Sequence, residues 1–202
     1  MKIKICGIMD PRSAAAAVMA GADAIGFMFA DSPRRLSPRE AARIAADLPT
    51  DVERVAVFRL PSLDDVYRVL DEFSGITVQA EPDADLIATF GSQLLPVLHD
   101  GEELEDEAAM VPSELPILLE AGGSGGSGMQ PDWSRASRLA RHRRLMLAGG
   151  LRARNVLAAI RIVQPWGVDV SSGVETSPGV KSPELITEFV QTVRDRETEE
   201  TT

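Results

Sequence analysis

The chain has 202 residues, 44% hydrophobic and 26% charged, the size and balance of one globular domain with a sizeable core. Its formal net charge of −10 argues against nucleic acid or an anionic membrane surface as a general partner. A single cysteine, Cys6, excludes an internal disulfide framework and fits a reducing cytoplasm.

The segment Met1–Cys6 enters a strand-like run directly, without the apolar stretch and small-residue site of a signal segment, so a cytoplasmic location is expected. No apolar run approaches the roughly 18 residues of a membrane span. Lys2, Lys4 and Lys181 are the lysines, and the other basic residues are arginines. Such an acidic, lysine-poor chain fits either a salt-rich cytoplasm or GC-rich coding.

Short apolar runs recur along the chain and predict eight strands: Ile3–Cys6, Ala24–Phe29, Arg54–Phe58, Ile76–Gln79, Leu94–Leu98, Pro116–Glu120, Leu145–Ala148 and Gly167–Val170. Most are apolar throughout, as parallel strands buried on both faces should be. Helix signals separate them. Ser13–Ala20 is alanine-rich and stops at Gly21. Ser37-Pro38-Arg39-Glu40 reads as a capping box with proline at the first helical position. Ser62–Leu70, Glu102–Met110, Asn155–Val163 and Pro183–Arg194 are further candidates, and the segment near Pro82–Gly91 gives only a weak signal. Residues 1–196 are read as one domain, with 197–202 as a polar, frayed tail.

Eight strands alternating with helices predict an α/β fold, a single (β/α)₈ TIM barrel with eight parallel strands. The alternative is an open doubly wound sheet, disfavoured because no Gly-x-Gly-x-x-Gly follows the first strand. In a barrel the functional groups sit at the C-terminal strand ends. Cys6 stands at such an end, although a lone buried thiol can equally be packing. Gly122–Gly128, after the sixth strand, resembles a flexible linker in isolation and an active-site loop between barrel elements. Gly149 and Gly150 after the seventh strand, with Ser172 and Gly173 after the eighth, form a candidate phosphate site; two ordinary tight turns would look the same.

Several motifs occur in order: Lys4-Ile5-Cys6-Gly7-Ile8, Gly21–Phe27, Ser32-Pro33-Arg34, Leu147–Leu151, and Asp169–Glu175 followed by Pro178-Gly179-Val180-Lys181. Together they resemble phosphoribosylanthranilate isomerase, a family of tryptophan biosynthesis, over almost the whole chain; the stretch Arg59–Ser113 matches weakly. The resemblance implies a barrel with no metal or organic cofactor and a small-molecule phosphosugar-anthranilate substrate, as a monomer or homodimer. It implies an Amadori rearrangement of N-(5′-phosphoribosyl)anthranilate to 1-(2-carboxyphenylamino)-1-deoxyribulose 5-phosphate. A general acid opens the furanose ring and a general base removes the C2′ proton, two groups with opposite protonation states.

The resemblance assigns the base to Cys6, whose site must then favour thiolate. The family's acid, an aspartate closing the sixth strand, is replaced here by Glu120. The extra methylene moves the carboxyl by about 1.5 Å, and a displacement on that scale can cost on the order of a hundredfold in rate. As a bare residue, Glu120 could also be a solvent-facing carboxylate. Arg34 matches the arginine that binds the anthranilate carboxylate, with Arg35 as a possible substitute. Asp169 matches a sugar-contacting aspartate, or fixes its own loop.

Two segments depart from the family pattern. Val78-Gln79-Ala80-Glu81-Pro82 lacks a His-Gly pair, and Met129-Gln130-Pro131 replaces Lys-Thr-Phe. His99 and His142 match nothing in the pattern and are read as structural or solvent-facing. Besides the isomerase, a related phosphosugar-processing barrel with a shifted substrate and a non-catalytic phosphosugar-binding protein remain alternatives.

Overall fold

The computed structural model describes residues 1–122 and 129–199. Eight parallel strands close into a barrel in sequence order: β1 (Lys2–Cys6), β2 (Ala24–Met28), β3 (Glu53–Val57), β4 (Thr77–Ala80), β5 (Leu94–His99), β6 (Ile117–Glu120), β7 (Leu145–Leu147) and β8 (Gly167–Val170). Eight helices follow them: α1 (Pro11–Ala20), α2 (Pro38–Ala45), α3 (Leu63–Leu70), α4 (Ala84–Phe90), α5 (Leu104–Met110), α6 (Trp133–Ala140), α7 (Ala153–Val163) and α8 (Pro183–Glu199). The architecture is the expected (β/α)₈ barrel, and the open doubly wound sheet is excluded by the β1–β8 pairing. Among the described residues no helix is long and apolar enough to cross a membrane.

Side chains alternate across each strand. Ile3 and Ile5 of β1, Ile25 and Phe27 of β2, and Ile117 and Leu119 of β6 join the large apolar layer between strands and helices. The opposite face points into the barrel. There Cys6, Ala24, Val55 and Val57 form one small apolar group, and Leu95, Val97, Leu118, Met146 and Ala148 form another. Lys4 lies on this inner face, two residues before Cys6.

Local sequence explains the helix starts. Asp10 caps α1 by accepting from Ser13 N, with Pro11 at the first helical position, so α1 begins two residues before the expected Ser13. Gly21, at φ 94°, ends it, a left-handed conformation that glycine adopts freely. Ser37 and Glu40 form the expected capping box on α2. The weak Pro82–Gly91 signal resolves as α4, capped by Asp83. Helix α6 lies outside the expected set. It is polar, buries only Ala136 and Leu139, and is started by Asp132, which accepts from Ser134 N and Arg135 N. Helix α8 extends to Glu199, beyond the expected Arg194. A small hairpin, β9 (Glu175–Ser177) with β10 (Val180–Lys181), follows β8.

The N-terminal strand is tied to the last helix. Arg194 of α8 donates to Met1 O, Gly21 O and the Asp23 carboxylate, and Asp23 accepts from Ile3 N.

Phe27 is fully buried and meets Phe73 edge-on, with ring centroids 5.3 Å apart. Phe27→Ala is expected to destabilise the barrel by about 3–5 kcal/mol, read as a lower urea midpoint with an unchanged slope.

Candidate active site

The inner-face side chains at the C-terminal strand ends enclose a cavity of about 230 Å³. Cys6, Arg34, Glu120, Gly149, Gly150, Asp169, Ser172 and Gly173, the eight residues singled out from sequence, all line it. Cys6 ends β1 and Glu120 ends β6, so thiol and carboxyl enter from well-separated parts of the rim.

Beneath the thiol is a buried charge. Lys4 is 0% exposed, and its Nζ lies 2.7 Å from Asp169 Oδ1. The closing register makes Lys4 and Asp169 direct neighbours on β1 and β8. Burial pushes the Cys6 thiol up; the Lys4 and Lys181 ammonium groups oppose this, and the Asp169 carboxylate adds to it. These surroundings therefore favour the thiol over the thiolate. Burial works against the Lys4 ammonium too, but the Asp169 carboxylate, helped by Cys6, outweighs it and holds Lys4 firmly as a cation.

A second buried network fixes Arg34. Its Nε and Nη2 donate to the two Glu175 oxygens, each at 2.7 Å. Lys181 Nζ reaches Glu175 Oε1 at 2.6 Å and Ser171 O at 3.0 Å. Arg34 passes over Gly7, where an added Cβ would stand 2.6 Å from Arg34 Cδ, and Gly7 has φ 74°. Both facts demand glycine at that position. Arg35 is exposed and does not line the cavity.

Across the cavity, the Glu120 carboxyl is pushed up from the usual carboxylate range. Burial is the main cause, followed by the Asp169 carboxylate; His99 and Lys4 oppose the shift. His99 is the register partner of Glu120, because β5 runs one residue past its expected end at Leu98. His99 Nε2 lies 3.3 Å from Glu81 Oε1, and Nδ1 lies 3.4 Å from Ala121 O. His99 therefore lines the site, contrary to its reading as structural or solvent-facing; His142 is exposed, as read.

The two glycine-rich turns meet at the far rim. Gly149 and Gly150 have φ 88° and 60°. A Cβ on Gly173 would stand 1.9 Å from Leu151 O, so the turns after β7 and β8 press backbone against backbone. Asn155 holds the first turn, donating to Gly150 O and accepting from Arg152 N. Of the expected Gly122–Gly128 loop, residues 123–128 lie outside the described residues.

The profile of the N-(5′-phosphoribosyl)anthranilate (PRA) isomerase family matches residues 3–192. The chain belongs to that family. A curated N-(5′-phosphoribosyl)anthranilate isomerase of Roseiflexus sp. (strain RS-1) is 40% identical over 217 residues, covering 96% of this chain and 98% of the relative. The crystal structure of the phosphoribosyl anthranilate isomerase from Thermus thermophilus superposes with a TM-score of 0.85 at 30% identity, covering 97% of this chain and 100% of that one. Another phosphoribosyl anthranilate isomerase, crystallised with reduced 1-(o-carboxyphenylamino)-1-deoxyribulose 5-phosphate, has a TM-score of 0.83 at 33% identity, covering 96% and 99%.

Against the PRA isomerase pattern, sequence reasoning gave no role to Lys4, Gln79, Glu81, Glu175 or Lys181. Lys4 carried a signal: a lysine two positions before Cys6 in an apolar strand must share its inner face. Gln79 is 3% exposed and lines the cavity, and its Oε1 has no hydrogen-bond partner among the described residues.

Glu175 makes the stability of the fold depend on pH. Burial opposes its charge, but Arg34 and Lys181 outweigh burial and hold the carboxyl below its ordinary value of 4.5. A depressed carboxyl stabilises the fold above that value, and the contribution is lost as pH falls through the lower folded value. Unfolding free energy should therefore decline on acidification below about pH 4.5, and Glu175→Gln should flatten that part of the decline. At neutral pH the same substitution strands two buried cations and is expected to cost about 3–5 kcal/mol. Chemical denaturation across a pH series checks both.

Proposed function

We propose that this isomerase works with Cys6 as general base and Glu120 as general acid. The supporting observation is that a buried thiol and a carboxyl pushed toward its neutral form face one cavity from separate strand ends. The reaction is the Amadori rearrangement of N-(5′-phosphoribosyl)anthranilate.

Glu120 donates its proton to the furanose ring oxygen as the C1′–O4′ bond breaks, leaving an open-chain iminium and a glutamate carboxylate. The Cys6 thiolate then removes the C2′ proton. The C2′–H electron pair forms the C1′–C2′ double bond, and the iminium π pair returns to nitrogen, giving the enolamine. The net change on the sugar is one proton gained at O4′ and one lost from C2′; solvent exchange restores the two side chains. Both steps are proton transfers that side chains can supply.

The remaining cavity residues suit the rest of the substrate. Arg34 spends two of its five N–H donors on Glu175 and keeps donors for the anthranilate carboxylate. Met28, Val57 and Val97 supply an apolar wall for the aromatic ring. Asp169 and Gln79 Oε1, which has no hydrogen-bond partner among the described residues, can accept from sugar hydroxyls. Gly149, Gly150, Ser172 and Gly173 admit the phosphate close to backbone. The setting is cytoplasmic, and the working unit is a monomer or a homodimer.

The productive enzyme form has Glu120 protonated and Cys6 ionised. A carboxyl is still a stronger acid than a buried thiol, so this form is the minor singly protonated one. The pH profile of kcat/KM should be bell-shaped, with the low-pH limb set by Glu120 and the high-pH limb by Cys6. Glu120→Asp should move the low-pH limb and leave the high-pH limb in place. Cys6→Ala and Glu120→Gln should each lower kcat by at least about a hundredfold, assayed on freshly prepared substrate. Full turnover in Cys6→Ala would overturn the assignment.

A further inference from the structure

Lys4 has a placement that a purely structural residue does not need. Its side chain runs inside the barrel, fully buried, and ends on Asp169 rather than escaping to solvent. Cys6 stands two residues further along the same face. Gly26, the register partner of Cys6 on β2, has no side chain. A Cβ there would lie 3.1 Å from Cys6 Sγ and 3.2 Å from Lys4 Cε. The glycine thus opens one slot that the sulfur and the lysine arm share. Burial makes an unpaired ammonium costly; Lys4 stays charged because Asp169 and the Cys6 sulfur together outweigh that cost.

We propose that Lys4 is a positioning residue for the isomerisation, its Asp169-held ammonium being the fixed positive charge against which the Cys6 sulfur becomes negative. This rests on Cys6 being the base, as argued above. The charged groups around Cys6 come from four places: Lys4 on β1, Asp169 on β8, Lys181 on β10, and Arg34 on the loop after β2. Arg34 and Lys181 share the single Glu175 carboxylate, and of the two lysines Lys4 acts on the sulfur more strongly than Lys181. Among the described residues Lys4 has one carboxylate partner, Asp169. Asp169 also faces the sugar in the proposed mode of binding. Substrate hydroxyls donating to Asp169 would draw its charge away from Lys4 and leave the ammonium more fully to the sulfur. The thiol would then be readied for proton removal only when substrate is seated.

Cys6 is the only cysteine in the chain, so its ionisation can be read without interference. Thiolate ultraviolet absorbance and the rate of iodoacetamide alkylation are followed against pH in the empty enzyme. Lys4→Met should raise the midpoint by at least about one pH unit, a tenfold loss of thiolate at fixed pH, and should lower kcat more than it changes KM. Asp169→Asn should lower the midpoint. Lys4→Met leaves Asp169 buried without its partner and can fail to fold, so Lys4→Met/Asp169→Asn, which removes both charges, is the second variant. Its midpoint should lie above that of Asp169→Asn. Equal midpoints in those two variants, or a wild-type midpoint in folded Lys4→Met, would overturn the proposal. The titration needs no turnover, so it fails or succeeds independently of the isomerase reading, whose own failure appears as absent turnover in the wild type.

Discussion

The pairing of Lys4 with Asp169 across the closing seam sets the geometry of everything above it. Barrel closure requires β8 to return to β1, and the register that achieves this puts Lys4 beside Asp169. A one-residue slip would turn Lys4 and Cys6 into the apolar layer and Ile3 and Ile5 into the barrel. The burial of a charge on each strand therefore rejects that slip more strongly than apolar packing alone could. A buried ion pair is weak evidence for stability, since well-packed apolar residues often do as well. Its retention at this site is better explained by what it does for the thiol two residues above.

The cavity is an electrostatic balance drawn from distant parts of the chain. Lys4, Arg34 and Lys181 bring positive charge, and Asp169, Glu175 and Glu120 bring negative charge. Arg34, Glu175 and Lys181 are committed to ion pairs that hold together the loops after β2 and β8. Among the described residues no cation is bound to Glu120 in this way, and burial drives it toward its neutral form. Burial likewise drives Cys6 toward the neutral thiol. The same low-dielectric surroundings thus help the acid and hinder the base, and the nearby cations offset the second effect in part.

Most of the barrel was legible because its strands are buried on both faces and read as uninterrupted apolar runs. The elements that escaped are those with little apolar signature. Helix α6 is rich in serine and arginine and is specified mainly by its Asp132 cap. The β9–β10 hairpin consists of two very short, mostly polar strands, visible only once Lys181 is seen folding back on Glu175. The site divides in the same way. Cys6, Glu120, Asp169 and the glycine turns lie at strand ends, where a barrel places chemistry. The binding partners do not show in local sequence: Lys4 and Asp169 are 165 positions apart, and Arg34 and Glu175 are 141 apart. His99 was misread because its strand continues one residue further than its apolar run suggests.

In the proposed mechanism Glu120, despite its extra methylene, delivers a proton to the ring oxygen while Cys6 addresses C2′. A crystal structure of this protein with the reduced product analogue bound tests it most directly. A Glu120 carboxyl oxygen is expected within about 2.6–3.2 Å of O4′, with Cys6 Sγ facing C2′ from another side of the sugar. Contact of O4′ with His99 instead, with the Glu120 carboxyl turned away, would contradict it.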